Sequence, residues 1–156
     1  MPESSPTAQV TTDQLGLGRT QGQRGAEILA GLRAELMPSV ESSALARFSG
    51  RVAARIVLGI VSDRRLLNFV PVRLGGMTAL TEHYLPPEKE NPLVVDIAAG
   101  FAPRGVHLAQ ANPNMRVIEI DLPDVIRDKQ RRLKKSMTLP ENISWQADDL
   151  GVTPLA

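Results

Sequence analysis

The chain has 156 residues, 42% of them hydrophobic and 22% charged, with 18 Lys plus Arg against 17 Asp plus Glu for a formal charge of +1. That length suits one domain with a sizeable core; no apolar run approaches the roughly 18 residues of a membrane span, and so small a net charge gives no field to hold a polyanion, so neither membrane nor nucleic acid is an expected partner. With no cysteine and two histidines, disulfide scaffolds, thiolate metal sites and cysteine nucleophiles are excluded, and no metal is expected.

Residues 1–25 are rich in Ser, Thr, Pro, Gln and Gly, and their few apolar side chains do not offset the cost of ordering the backbone, which predicts a flexible arm. This arm has no basic stretch leading into an apolar core, so the expected compartment is the cytoplasm. From Ala26 onward Ile28, Leu29, Leu32, Leu36 and Met37 recur at helical spacing until Pro38, and Ser39 is placed to cap a second helix. That second helix is predicted over Glu41 to Val61. A third begins near Arg64, with Pro71 and Gly75-Gly76 as candidate breaks before Leu80 and Tyr84. Residues 26–85 are therefore a helical cap region, and 86–92 are a proline-rich, charged connector that neither a helix nor a central strand tolerates.

Residues 93–156 have a different pattern. Leu93-Val94-Val95-Asp96-Ile97-Ala98 is apolar on both faces, as a parallel strand covered on two sides would be. Pro103 opens a helix that must end at Asn112-Pro113, and Met115 to Ile120 reads as a second strand. A helix comes after Asp121, with Leu122, Val125, Ile126, Leu133 and Met137 on its apolar side, and Ile143 to Ala147 is a third strand. The order β-α-β-α-β makes the fold class α/β: a Rossmann-like half of a doubly wound sheet, incomplete at about three parallel strands, behind an N-terminal helical region.

The stretch Val95-Asp96-Ile97-Ala98-Ala99-Gly100-Phe101-Ala102-Pro103-Arg104 carries the clearest chemistry: an acid ending an apolar strand, a small-residue turn, then a helix N-terminus. As a G-x-G-x-x-G fingerprint its best register is Ala98, Gly100 and Pro103, which keeps one glycine of three and disfavours a nicotinamide dinucleotide. A carboxylate at 96 suits instead a cofactor bearing an ammonium or sulfonium. Together with Val117-Ile118-Glu119-Ile120-Asp121-Leu122-Pro123-Asp124-Val125-Ile126, this stretch resembles the class I S-adenosylmethionine-dependent methyltransferases, and among them the leucine carboxyl methyltransferase-like O-methyltransferases associated with polyketide biosynthesis.

The resemblance covers about Asn91 to Leu150. It implies S-adenosylmethionine as cofactor, with Asp96 and Gly100 lining its methionine end, Arg104 near its carboxylate and Asp121 at the ribose hydroxyls. Asp148 and Asp149 would lie near the adenine, and Ala98 and Leu122 would be further cofactor-binding positions. It implies methyl transfer to a carboxylate or hydroxyl of a small molecule, polyketide-like for one, or of a protein. The family's sheet has seven strands, with the fourth beside the first; three are legible here. The edge of strand one is thus expected to need cover from a helix, a second copy or a complementary chain, and the chain on its own is expected to be a truncated enzyme or a non-catalytic docking module.

Each residue also has a structural reading. Asp121 is placed to cap the helix after strand two, with Asp124 as its capping-box partner, although it also stands 21 residues after Gly100, where a ribose-binding acid belongs. Arg127, Lys129, Arg131, Arg132, Lys134 and Lys135 are expected on a solvated helix face. His83, His107, Tyr84 and Trp145 are expected in structural roles.

Overall fold

A computed structural model describes residues 18–61, 63, 65, 68–85 and 91–149. The arm up to residue 17, most of the connector and residues 150–156 lie outside the described residues. Four helices come first: α1 (Gly18–Leu36), α2 (Val40–Leu45), α3 (Phe48–Ile60) and α4 (Phe69–Tyr84). Then β1 (Leu93–Ile97), α5 (Arg104–Ala111), β2 (Arg116–Asp121), α6 (Pro123–Ser136) and β3 (Ile143–Ala147) alternate. Among the described residues no helix is long and apolar enough to cross a membrane.

Three helical expectations are corrected. The first helix starts at Gly18 rather than Ala26, although the residues ahead of Ala26 lack apolar periodicity and include three glycines. The expected helix from 41 to 61 is two helices, broken where Ala46 and Arg47 adopt extended backbone. The break lets α3 turn onto α1, where Gly31 and Gly50 bring the backbones so close that a Cβ on Gly31 would lie 2.1 Å from the Gly50 carbonyl oxygen. Pro71 breaks nothing: it sits in the first turn of α4, where its missing N–H leaves no helical bond unmade, and α4 continues through Gly75-Gly76. Ser39 caps α2 as expected, its Oγ accepting from the Ser42 N–H at 3.0 Å.

The sheet is α/β and parallel, in the order β1-β2-β3, and joins the helices as an incomplete Rossmann-like fold. Both crossovers run in the same direction along the sheet, so right-handed connection places α5 and α6 on one face. Val94, Val117 and Ile143 stand in register on that face. The last two are buried in a core with Val106, Leu108 and Ala109 of α5 and Val125 and Leu133 of α6. The other face of β1 is open: Leu93, Val95 and Ile97 are 53%, 45% and 50% exposed, so the strand is covered on one side among the described residues and not on two. At the N-terminal end of the sheet, the Asn142 side-chain amide reaches the carbonyls of Ala109, Asn112 and Met115 at 2.8 to 3.0 Å.

The helical layer docks through α2, which packs on α6, and through polar ties. Glu41 of α2 meets His107 of α5 at 2.9 Å. Arg132 of α6 reaches Glu27 of α1 and the Leu45 carbonyl, and its guanidinium lies 4.1 Å over the Phe101 ring. The basic face expected to be solvated is therefore only partly so: Lys129 is fully buried and Arg132 is 9% exposed. Tyr84 is 76% exposed rather than packed.

Candidate functional site

The C-terminal ends of parallel strands are where βα turns converge, and here the turns after β1 and β2 are tied to each other. Asp121 ends β2, and its carboxylate accepts the Gly100 N–H and the Leu122 N–H, each at 2.7 Å. The backbone continues the contact, with the Ala99 N–H on the Ile120 carbonyl at 3.3 Å. Asp121 therefore does not cap α6; the N-cap is Leu122, which has no side-chain cap, and Pro123 supplies the preorganised first turn.

The turn after β1 is held in a conformation most residues avoid. Ala98 has φ 55° and Gly100 φ 52°, both in the left-handed region. Glycine reaches it freely, whereas alanine is strained there by about 1–2 kcal/mol. A Cβ added at Gly100 would meet nothing within 4 Å, so the turn borders open space into which a ligand can approach the backbone. Ala98 is exposed beside it, and Leu122 is half-buried against the core.

Asp96 lies near the end of β1 and is 6% exposed. One carboxylate oxygen pairs with Arg104 in the first turn of α5, while Oδ2 is buried with no hydrogen-bond partner. Arg33 of α1 is also close, with its Nε buried and unpartnered. Burial, followed by repulsion from Arg104 and Arg73, lowers the pKa of its guanidinium, and Asp96 offsets this only in part. Arg33 of α1 and Arg104 of α5 thus both act on the Asp96 carboxylate, and Arg73 of α4 acts on Arg33. Asp148 comes just after β3, and its N–H donates to the Asp121 carbonyl at 3.0 Å, while Asp149 is exposed. The predicted residues Asp96, Ala98, Gly100, Arg104, Asp121 and Leu122 are gathered at adjacent strand ends, with Asp148 and Asp149 one strand farther.

Sequence reasoning missed Arg33, Arg73 and the buried pair Glu119 and Lys129. The Lys129 ammonium lies 2.7 Å from Glu119 Oε2, both side chains are fully buried, and the Trp145 Nε1–H donates to the same oxygen at 2.8 Å. Burial pulls Lys129 below the ordinary lysine range against the attraction of Glu119, Asp96 and Asp121. The signal was present: an acid inside the apolar run Val117 to Ile120 needs a partner just as Asp96 does, and Lys129 falls in the stripe of Val125, Ile126 and Leu133.

No curated protein matches the chain at a significant level. A family model described as leucine carboxyl methyltransferase matches residues 52–151, well over half the chain. The match includes all the turn residues above and reaches back through α4 into α3, beyond the stretch that carried the sequence resemblance. On that match, with the incomplete Rossmann-like fold beneath it, the chain belongs to the leucine carboxyl methyltransferase family.

Proposed function

We propose that the chain forms the cofactor half of an S-adenosylmethionine-dependent O-methyltransferase acting on a carboxylate or hydroxyl of a small molecule. The observation that carries this reading is Asp96 Oδ2, a carboxylate oxygen buried at a strand end without a partner. Leaving such an acceptor unsatisfied costs about 1–3 kcal/mol, and an ammonium group approaching along the open turn would satisfy it.

When bound, the cofactor supplies a methyl group on a sulfonium, open to in-line displacement by an acceptor oxygen. Asp96 accepts from the ammonium and offsets the positive charge. The cations at Arg33, Arg73 and Arg104 suit the cofactor's carboxylate. Asp121 keeps lone pairs for the ribose hydroxyls while Gly100 and Leu122 fix its orientation, and the Gly100 turn lets the ligand approach the backbone. Catalysis of this kind rests mainly on positioning the two reactants. A carboxylate acceptor needs no general base, whereas a hydroxyl needs one.

Calorimetric titration of the folded chain with S-adenosylhomocysteine tests the reading. Saturable binding, weakened about tenfold or more by Asp121→Ala, is expected from the loss of hydrogen bonds to a charged group. The open apolar row Leu93, Val95 and Ile97 favours a second reading, a non-catalytic docking module. A folded chain that self-associates and does not bind the ligand would favour that module and sink the enzyme reading.

A further inference from the structure

The buried Glu119–Lys129 pair has no part in the chemistry above, yet it lies directly beside it. Glu119 stands in register with Asp96 on one side and Trp145 on the other, giving the row Asp96, Glu119, Trp145 across the covered face. Its Oε2 takes the Lys129 ammonium and the Trp145 N–H, while its Oε1 is backed by Gly105, where a Cβ would lie 2.3 Å away. The charged groups around it are Lys129 from α6, Asp96 from β1, Asp121 on its own strand, and Arg104 from α5 through Asp96. Arg33 of α1 interacts electrostatically with both Asp96 and Arg104, and Arg73 of α4 with Arg33.

Two carboxylates opposed on neighbouring strands repel each other, and in a low-dielectric interior such a pair comes to share a proton unless each has its own cation. Asp96 has Arg104; Glu119 has Lys129. We propose that Lys129 is a positioning residue for the cofactor: by compensating Glu119, it leaves the opposed Asp96 free to present its second carboxylate oxygen, as an anion, to the cofactor's ammonium. The inference rests on the reading of the site given under the proposed function. It adds a control that acts from beneath the sheet without touching the ligand.

The test uses the full chain as wild type, Lys129→Met and the double variant Glu119→Gln/Lys129→Met. Two signals are followed between about pH 6 and 8, a window in which ordinary carboxylates do not titrate. These are the emission of Trp145, the chain's single tryptophan, without ligand, and the affinity for S-adenosylhomocysteine. Wild type and the double variant should be flat in both. In Lys129→Met the uncompensated carboxylate pair takes up a proton, so Trp145 emission should titrate and affinity should fall about tenfold toward pH 6. A loss in Lys129→Met that is equal at all pH values and is not rescued by the double variant would mean a merely structural lysine, and would overturn the proposal.

If Lys129→Met does not fold, Glu119→Gln takes its place. The ammonium then turns to Asp96 and should weaken binding about tenfold at every pH, with the double variant restoring it. Failure of that rescue also overturns the proposal. Absence of ligand binding in the wild type overturns the cofactor reading itself, and is distinct from a wild type that binds while the variants show no pH dependence.

Discussion

Asp96 of β1 and Glu119 of β2 stand directly opposite each other in parallel register, both buried on the face that α5 and α6 cover. Each draws a cation from a different crossover helix, Arg104 from α5 and Lys129 from α6. Breaking either pair leaves a buried charge uncompensated, which costs more than the pair itself contributes. The floor of the candidate site is thus a row of charges whose balance depends on how both helices dock.

The two residues of the left-handed turn should respond in opposite ways. Ala98→Gly relieves strain and should stabilise the fold by about 1 kcal/mol, while Gly100→Ala introduces strain of about 1–2 kcal/mol without a clash. Thermal melts of the two variants check this. Equal and small effects would mean that the turn is not held in this conformation in solution.

Gly105→Ala should be more damaging than Gly100→Ala, because its methyl would collide with the Glu119 carboxylate rather than enter open space. Overpacking of this kind costs about 1–3 kcal/mol, and displacing Glu119 from Lys129 and Trp145 adds to it. Urea denaturation, with a red shift in Trp145 emission, is the expected signature.

Arg132→Leu should destabilise the chain by about 1–3 kcal/mol, since it removes the charged hydrogen bonds to Glu27 and Asp128 and the cation over the Phe101 ring, while Arg47 still pairs with both carboxylates. Arg132→Lys keeps the charge but loses the guanidinium fork, so a smaller but measurable loss is expected in the same denaturation series.

Acid should unfold the protein through Glu41 and Asp128. Burial pushes both carboxyls upward, but the hydrogen bonds and charges around them together outweigh it, led by His107 with Ser39 at Glu41 and by Arg132 with Arg47 and Arg131 at Asp128, and hold both below the ordinary carboxylate range. The unfolded chain therefore takes up these protons at higher pH than the folded one. The stability these groups contribute is fully present above about pH 5 and is lost as pH falls through the unfolded and then the lower native values. Chemical denaturation as a function of pH should show a plateau and then an acid decline, and Glu41→Gln should make that decline shallower.

The sequence by itself determined the α/β alternation, the extent of β3, and the strand-end positions of Asp96, Gly100 and Asp121, because strand periodicity, turn chemistry and proline placement are local properties. It also marked Asp96 as an acid in need of a partner. Which partner it found was not local. The tertiary structure decided that Asp121 would hold the Gly100 turn instead of capping α6. It buried Lys129 and Arg132 out of a run of basic residues that looks solvated, and it split the second helix so that Gly50 could meet Gly31. Each of these outcomes depends on which face of an element meets its neighbour, and that is fixed only when the layers pack, since a buried charge is tolerated only where a countercharge from another element arrives with it.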